Sequence, residues 1–202
     1  MLPDAPIPVV EQGLALFRAE ACDGIVAFGG GSVIDTAKVI GLAAANRKRP
    51  RELAGYFRGR HGPVPIYAVP TTAGTGSEVT VAAVISDPDE GRKYVVADTR
   101  IVPDMAALDP RVMVGLPSDI TAATGMDALT HAIESYLSGW ATPHTDRLAR
   151  AAVATGCDGI FAEVHEDPAS SPSDAETMMH LDDLPKLLRQ LVKIKEIVSA
   201  EG

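Results

Sequence analysis

The stretch GIVAFGGGS, residues 24–32, is the part of the sequence that most constrains the fold. A short apolar run that ends in three glycines is typical of a buried parallel strand followed by a tight turn. Ser32 is a suitable N-cap for a helix after this turn, and another helix is predicted before the strand, over residues 9–20. Helix, strand, glycine turn and helix in close succession predict a doubly wound α/β sheet.

The sequence after this unit predicts further strands and then helices. A second apolar strand, residues 65–69, leads into PTTAGTGS, residues 70–77. Further strands are predicted over residues 79–86, 93–97, 103–110 and 157–165, with a turn at 87–91. Helices are predicted over residues 119–138 (with Ser118 as cap), 144–155 and 181–199. The expected fold class is α/β: an incomplete doubly wound, Rossmann-like parallel sheet, then the start of a helical region and a C-terminal helix–strand–helix unit.

The charge balance narrows the classes of partner. Eighteen basic and twenty-seven acidic residues give a net charge of −9, which we interpret as spread along the chain. Nucleic acid and an anionic membrane are not expected as partners, because both require a concentrated basic face. No apolar run approaches the roughly 20 residues of a membrane span. With two cysteines, no CxxC spacing and no secretory segment, the expected location is the cytoplasm.

Two turns have the residue types that bind a nucleotide. In the glycine turn, residues 29–31, the backbone can approach a pyrophosphate, and the free N–H groups of the next helix attract anions. The turn over residues 70–77 adds threonine and serine hydroxyls that suit phosphate and ribose. Both turns follow parallel strands, so they are expected at the same edge of the sheet. Two ordinary polar turns are the alternative.

A carboxylate and an imidazole share one face of a predicted helix. Asp127 and His131 are four residues apart, which places them on neighbouring turns. A pair in this register can bind a divalent metal, or it can form a plain hydrogen bond. The spacing alone leaves both interpretations open.

Three motifs carry a resemblance to a known family: GGGSVIDTAK at residues 29–38, PTTAGTGSEVT at 70–80 and GMDALTHAIE at 125–134. In order and spacing they resemble the signatures of the iron-containing (group III) alcohol dehydrogenases, over about residues 1–150. The resemblance implies hydride transfer between a small alcohol or aldehyde and NAD(P), with Fe²⁺ polarising the substrate oxygen.

The resemblance also implies roles for individual residues. Gly30, Gly31 and Ser32 match the pyrophosphate contacts, and Asp35 matches a position near the nicotinamide. Asp127 and His131 match the first two of four metal ligands. The remaining cofactor contacts match Thr71, Thr72, Thr75, Thr80 and Lys93.

The chain also departs from the family's pattern. The family begins with a complete βα unit before the stretch present here, and it ends in a helical domain with two more histidine ligands. His144, His165 and His180 do not lie in segments that resemble those ligand helices. Since metal sites use at least three protein ligands, we expect a truncated enzyme with weak or no activity. A nucleotide-binding remnant without turnover is the alternative.

Residues from about 148 to 202 carry a second resemblance, on LARAAVATGCDGIFAEVH (residues 148–165), Pro168, the Ser173–Asp174 pair and the leucine-rich helix. They resemble the C-terminus of 3-deoxy-manno-octulosonate-8-phosphate synthase, a TIM barrel. In that resemblance Glu163 and Asp174 match two metal ligands, and synthase activity is a further alternative. One βα unit cannot close an eight-stranded barrel, which favours an inert remnant.

The sequence therefore indicates a fusion of two partial enzymes. The expected domains are residues 1–147, a partial dinucleotide-binding domain with the first helix of the metal-binding region, and residues 148–202, the synthase-like segment. Apolar surface left uncovered predicts a homo-oligomer or other self-association.

Overall fold

The computed structural model describes residues 4–139 and 141–154, with short pieces at residues 164–165, 167, 179–183, 185, 189 and 192. The chain divides into two compact units, Met1–Thr121 and Ala122–Gly202. In the described residues the helices are α1 (Ile7–Ala19), α2 (Gly31–Asn46), α3 (Ser118–Leu137) and α4 (Pro143–Ala154). The strands are β1 (Ile25–Gly29), β2 (Gly55–Tyr56), β3 (Ile66–Pro70), β4 (Ala82–Asp87), β5 (Arg92–Ala97), β6 (Met105–Ala106), β7 (Val164–His165) and β8 (Met179–His180).

A parallel sheet forms the centre of the first unit. Its strand order is β1-β3-β6, and Ile25 of β1 pairs with Ile66 of β3. Helix α2 covers one face of this sheet, where Ile34 and Ala37 form a buried cluster with Ala27, Ile66 and Ala68. The predicted α/β class with a parallel sheet is confirmed.

The opposite face of the same sheet is open to solvent. Val26, Tyr67 and Met105 lie in one row across the three strands, and their exposed fractions are 69%, 42% and 69%. Phe28, two residues along β1 from Val26, is 61% exposed. The sequence predicted strands buried on both faces, but apolar composition alone does not say whether a covering element is present.

A second sheet completes the first unit. Its order is β2-β5-β4, and β4 and β5 form an antiparallel hairpin across the predicted turn at residues 87–91. Helices α1 and α2 pack against each other and, with this sheet, bury a cluster that includes Ile7, Val10, Leu14, Val39, Leu42, Ile85 and Val96. Gly13 permits the close approach of the two helices, because a Cβ there would lie 2.5 Å from Ile40 Cδ1.

Three predicted boundaries differ from the structure. Helix α2 begins at Gly31 with Gly30 as its N-cap, so Ser32 lies inside the first turn and does not cap it. Strand β4 begins at Ala82, since Ser77–Val79 form a 3₁₀ turn. The predicted strand over residues 103–110 is reduced to Met105–Ala106, because Pro110 starts another 3₁₀ turn soon afterwards.

The second unit contains most of α3, all of α4 and the parallel pair β7 and β8. The two helices confirm the predictions over residues 119–138 and 144–155. Most of the predicted strand over residues 157–165 and of the helix over 181–199 lies outside the described residues. No helix in the described part of the chain is both long and apolar enough to span a membrane.

Candidate functional site

The glycine turn and the threonine-rich turn lie side by side at one edge of the parallel sheet. Gly29, the last residue of β1, pairs with Pro70, the last residue of β3. The Thr71 amide donates a hydrogen bond of 3.0 Å to the Gly29 carbonyl, which continues the pairing past the strand ends. The sequence prediction that both turns share this edge is therefore confirmed.

The two turns touch at two glycines, where an added Cβ would crowd threonine side chains of the other turn. A Cβ added at Gly30 would lie 3.1 Å from Thr72 Oγ1, and one added at Gly31 would lie 2.8 Å from Thr75 Cγ2. Helix α2 begins at the same place, and the first turn of a helix has N–H groups without intrahelical partners. The arrangement combines bare backbone, hydroxyls and a positive helix end, which together suit a phosphate group.

Asp35 lies one turn into α2, and both of its carboxylate oxygens are engaged. Oδ1 accepts a hydrogen bond of 2.6 Å from the Ser77 hydroxyl, and Oδ2 accepts one of 2.9 Å from the Val84 amide. These bonds connect the start of α2 to the end of the threonine-rich turn and to β4. The side chain retains 16% exposure, so a bound ligand can still reach it.

Lys38 is a buried cation that sequence reasoning did not single out. Its Nζ donates to the Thr80 carbonyl (3.0 Å), to Thr80 Oγ1 (3.0 Å) and to the Ala82 carbonyl (2.8 Å). Burial lowers the pKa of Lys38 to about 8, although the carboxylates of Asp35 and Glu78 raise it. Its burial could have been suspected from the sequence, because Lys38 lies within the mostly apolar part of α2 that follows Asp35.

Lys38 explains the position of Thr80. The Thr80 hydroxyl is tied to the lysine and lies between the threonine-rich turn and β4. Its role in this structure is to fix the segment that leads out of the turn.

Ser32 and Lys93 both contact Asp4, although 61 residues separate them in sequence. The Asp4 amide donates to Ser32 Oγ over 3.2 Å, and the Asp4 carboxylate accepts from Lys93 Nζ over 3.0 Å. Lys93 lies on β5 and its side chain is 59% exposed. The structure thus brings these two predicted cofactor residues to one place through the segment that precedes α1.

Asp127 and His131 lie on one face of α3, in the second unit. His131 Nε2 is 3.8 Å from Asp127 Oδ1, and both side chains are about half exposed. This distance is too long for a hydrogen bond, so the two side chains do not occupy each other's metal-binding atoms. No group of three or more potential metal ligands occurs among the described residues. Glu163 and Asp174, the synthase-like candidates, lie outside the described residues.

Comparison with known protein families identifies the ancestry of these motifs. The profile of the iron-containing alcohol dehydrogenases matches residues 1–110. The chain belongs to this family. A second profile, for the C-terminal part of Fe-containing alcohol dehydrogenases, matches residues 121–179. The predicted family resemblance is confirmed, and the second match extends beyond residue 150, where the sequence motifs suggested that it ends.

Individual proteins are also similar to the chain. The NAD-dependent methanol dehydrogenase of Bacillus methanolicus is 48% identical over 147 residues, which cover 73% of this chain and 39% of that protein. The solved structure of a 1,3-propanediol oxidoreductase is 44% identical with a TM-score of 0.72, over 76% of this chain and 40% of that one. A sulfoacetaldehyde reductase from Bifidobacterium kashiwanohense, solved in complex with NAD⁺, is 33% identical with a TM-score of 0.70, over 76% and 42%. The chain thus spans about two-fifths of the length of these relatives.

Proposed function

We propose that this chain provides the nucleotide-binding part and the first metal-ligand helix of an NAD(P)-dependent oxidoreductase of small alcohols and aldehydes. The observation that carries the proposal is the contact between the glycine turn and the threonine-rich turn at the start of α2. The relatives named above, a methanol dehydrogenase, a propanediol oxidoreductase and a sulfoacetaldehyde reductase, support the substrate class.

The proposed cofactor contacts follow from this geometry. The backbone of Gly30 and Gly31 and the start of α2 hold the pyrophosphate, because bare amides at a helix N-terminus bind anions. Hydroxyls of the adjacent turn, Thr71, Thr72 and Thr75, supply further hydrogen bonds. Asp35 lies near the nicotinamide, while Ser32, Thr80 and Lys93 complete the proposed set.

The proposed metal contacts are Asp127 and His131. One carboxylate and one imidazole fit a divalent transition metal in kind, and their exposure leaves them accessible. Catalytic sites use three protein ligands or more, so further ligands must join this pair. When bound, NAD(P) accepts or supplies the hydride and Fe²⁺ acts as a Lewis acid on the substrate oxygen.

Titration of the 202-residue chain with NADH, followed by the fluorescence of the nicotinamide, tests the nucleotide site. Replacing both Thr71 and Thr72 by Val should raise the Kd about tenfold, since two hydrogen bonds of about 0.5–1.5 kcal/mol each are lost. Thr99→Val is the matched control, because Thr99 is exposed and lies outside both turns. If the chain binds no NADH, or the control weakens binding equally, the proposed site is wrong.

A nucleotide-binding protein without turnover is the second candidate function. The observation in its favour is that, among the described residues, no third potential metal ligand joins Asp127 and His131. Alcohol-dependent reduction of NAD⁺ in the presence of Fe²⁺ separates the two candidates. Turnover that is lost in His131→Ala, with NADH binding retained, supports the oxidoreductase; NADH binding without any turnover supports the alternative.

We further propose that residues 148–202 derive from a synthase C-terminus and form a separate domain after residues 1–147. Support comes from the alignment to the methanol dehydrogenase, which leaves about a quarter of this chain unmatched. The family profile over residues 121–179 argues for a later boundary. We expect no condensation of phosphoenolpyruvate with arabinose 5-phosphate, as measured by phosphate release, because one βα unit lacks a barrel.

Self-association and a cytoplasmic location, without nucleic-acid or membrane partners, complete the proposal. The exposed apolar row of Val26, Tyr67 and Met105 supports self-association, because monomers rarely leave such rows uncovered. Cys22, an exposed free thiol, supports a reducing compartment.

A further inference from the structure

The basic residues of this acidic chain are concentrated in one segment. Residues 47–61 contain six of the eighteen Lys and Arg residues and one of the twenty-seven acidic residues, Glu52. The interpretation that charge is spread along the chain is therefore wrong for this segment. The chain, whose net charge is −9, therefore contains one locally basic segment.

The fold brings the two ends of this segment together. Asn46, the last residue of α2, accepts hydrogen bonds from the amides of Arg60 (2.6 Å) and His61 (2.8 Å), and its side-chain amide donates to the His61 carbonyl (2.9 Å). Lys48 Nζ donates to the Arg58 carbonyl over 2.6 Å. We call the resulting patch the basic surface; it consists of Arg47, Lys48, Arg58, Arg60 and His61.

The backbone beneath the basic surface is held from a second side by Arg100. Its guanidinium donates to the Gly59 carbonyl (2.9 Å) and the Arg60 carbonyl (3.2 Å), and it pairs with the buried Asp98 carboxylate at 2.6 Å. Gly59 is packed so closely that a Cβ there would lie 2.9 Å from Leu42 Cδ1. The loop is therefore fixed before any partner arrives, which lowers the entropic cost of binding.

The arginines of the basic surface differ from their neighbours in lacking acidic partners. Arg49 pairs with Glu52, and Arg51 pairs with the acidic residues of the turn after β4. Among the described residues, by contrast, no carboxylate lies within 4.0 Å of the charged groups of Arg47, Arg58 or Arg60. All three side chains are exposed. Their charges are available to an anionic partner.

Two exposed aromatic residues border the basic surface. Tyr56 is 72% exposed and Phe57 is 63% exposed. Phe57 has a φ of +53°, a conformation that bulky residues rarely adopt and that directs it out of the regular strand path. Strand β2 lies at the edge of its sheet, and the Arg58 side chain lies 3.4 Å from where a Gly55 Cβ would stand. An open strand edge, aromatic rings and arginines are thus adjacent.

We propose that the basic surface, with Tyr56 and Phe57, docks an extended acidic segment of a partner protein. Arginine forks bind carboxylates in a bidentate manner, the rings take an apolar side chain between the acidic ones, and the edge of β2 offers backbone hydrogen bonds. This surface is separate from the proposed nucleotide site, because it lies at the C-terminal end of α2 rather than at its N-terminus.

The charge distribution favours an acidic peptide over the other polyanions. A nucleic acid carries charge along its whole length, so beyond this patch it meets the acidic remainder of the chain and is repelled. A symmetric contact with a second copy places like charges against each other. An acidic segment of only a few residues can bind to this patch without its negative charge extending over the acidic remainder of the chain.

Fluorescence anisotropy of the full chain with a labelled peptide of alternating Glu and Asp around one Phe tests the proposal. A peptide with Gln and Asn in place of the acids is the control probe, and it should bind far more weakly. The double variant Arg58→Gln, Arg60→Gln should raise the Kd about fivefold, as expected for two exposed ion pairs. Phe57→Gly, which suits the positive φ, should also weaken binding without unfolding the chain.

The matched variant Arg147→Gln, Arg189→Gln removes the same charge from exposed positions elsewhere and should leave the Kd unchanged. Equal weakening by both double variants would show a general charge effect and overturn the proposal. Tighter binding of oligothymidylate than of the acidic peptide would assign the surface to nucleic acid instead. Self-association lost only in the Arg58, Arg60 variant, measured by sedimentation, would assign it to a second copy.

Discussion

Replacing Gly31 by Ala tests the contact between the two turns. The new Cβ would lie 2.8 Å from Thr75 Cγ2 and 2.9 Å from Thr75 Oγ1, well inside the usual separation of about 3.5–4.0 Å between non-bonded carbons. Thr75 must therefore move. Such overpacking costs about 1–3 kcal/mol, and the better helix propensity of Ala returns less than about 1 kcal/mol. We expect a net loss of about 1–2 kcal/mol in the free energy of unfolding.

The assay is urea unfolding followed by far-ultraviolet circular dichroism, on a double-mutant cycle. Thr75→Ala removes both clashing atoms but also the 3.3 Å hydrogen bond from the Ser77 amide to Thr75 Oγ1, at a cost of about 0.5–1.5 kcal/mol. The combined variant should be more stable than the sum of the two single changes by about 1 kcal/mol. Gly115→Ala is the control, because no atom lies within 4 Å of its added Cβ.

Additive effects of the two changes would refute the contact. So would a loss in Gly31→Ala no larger than in the control. If the contact exists and the proposed function is right, Gly31→Ala also weakens NADH binding, since the threonine-rich turn is displaced from the start of α2. A lower free energy of unfolding with unchanged NADH affinity would support the contact between the turns but contradict the proposed nucleotide site.

Three further predictions concern other parts of the first unit. Burial lowers the pKa of Lys38 to about 8, so between about pH 8 and pH 10.5 the unfolded chain binds more protons than the folded chain. The free energy of unfolding should therefore rise by about 3 kcal/mol over this pH range, relative to that of the Lys38→Met variant. Urea titrations at several pH values measure this difference. The hydrogen bond from the Arg100 side chain lowers the pKa of Asp98. The ionised Asp98 therefore stabilises the fold above pH 3.8, and this stabilisation is lost as the pH falls through the lowered pKa. In urea titrations, Asp98→Asn should reduce the loss of stability at acid pH and should lower the free energy of unfolding at neutral pH. Replacing Phe28 and Met105 by Gln should reduce self-association in light scattering, whereas Leu108→Gln, equally exposed but outside the sheet strands, should not.

The sequence was sufficient to predict the parallel sheet and the edge at which the two turns meet. Apolar runs followed by glycine or threonine-rich turns are local patterns, and parallel pairing then places their ends together. The hairpin β4–β5 was likewise predictable from the turn at residues 87–91. The predicted roles of Asp127 and His131 rested on the family resemblance, and the structure adds their placement on one face of α3.

Other features depended on contacts between distant residues and could not be predicted. The burial of Lys38 is set by carbonyls 42 and 44 residues away, and the basic surface is assembled by Asn46 and Arg100. Neither arrangement leaves a periodic pattern in the sequence. The exposure of one face of the parallel sheet could not be predicted either, because the residues of a strand are equally apolar in sequence whether or not another element covers them.

The contacts of Asp4 have a consequence for any ligand of the proposed cofactor site. Its amide is bonded to Ser32 and its carboxylate to Lys93, while its own backbone has a φ of +64° and that of Ala5 a φ of +44°. A pyrophosphate that uses the Lys93 ammonium competes with the Asp4 carboxylate that is already bound there. Nucleotide entry at Lys93 is then an exchange of one anion for another.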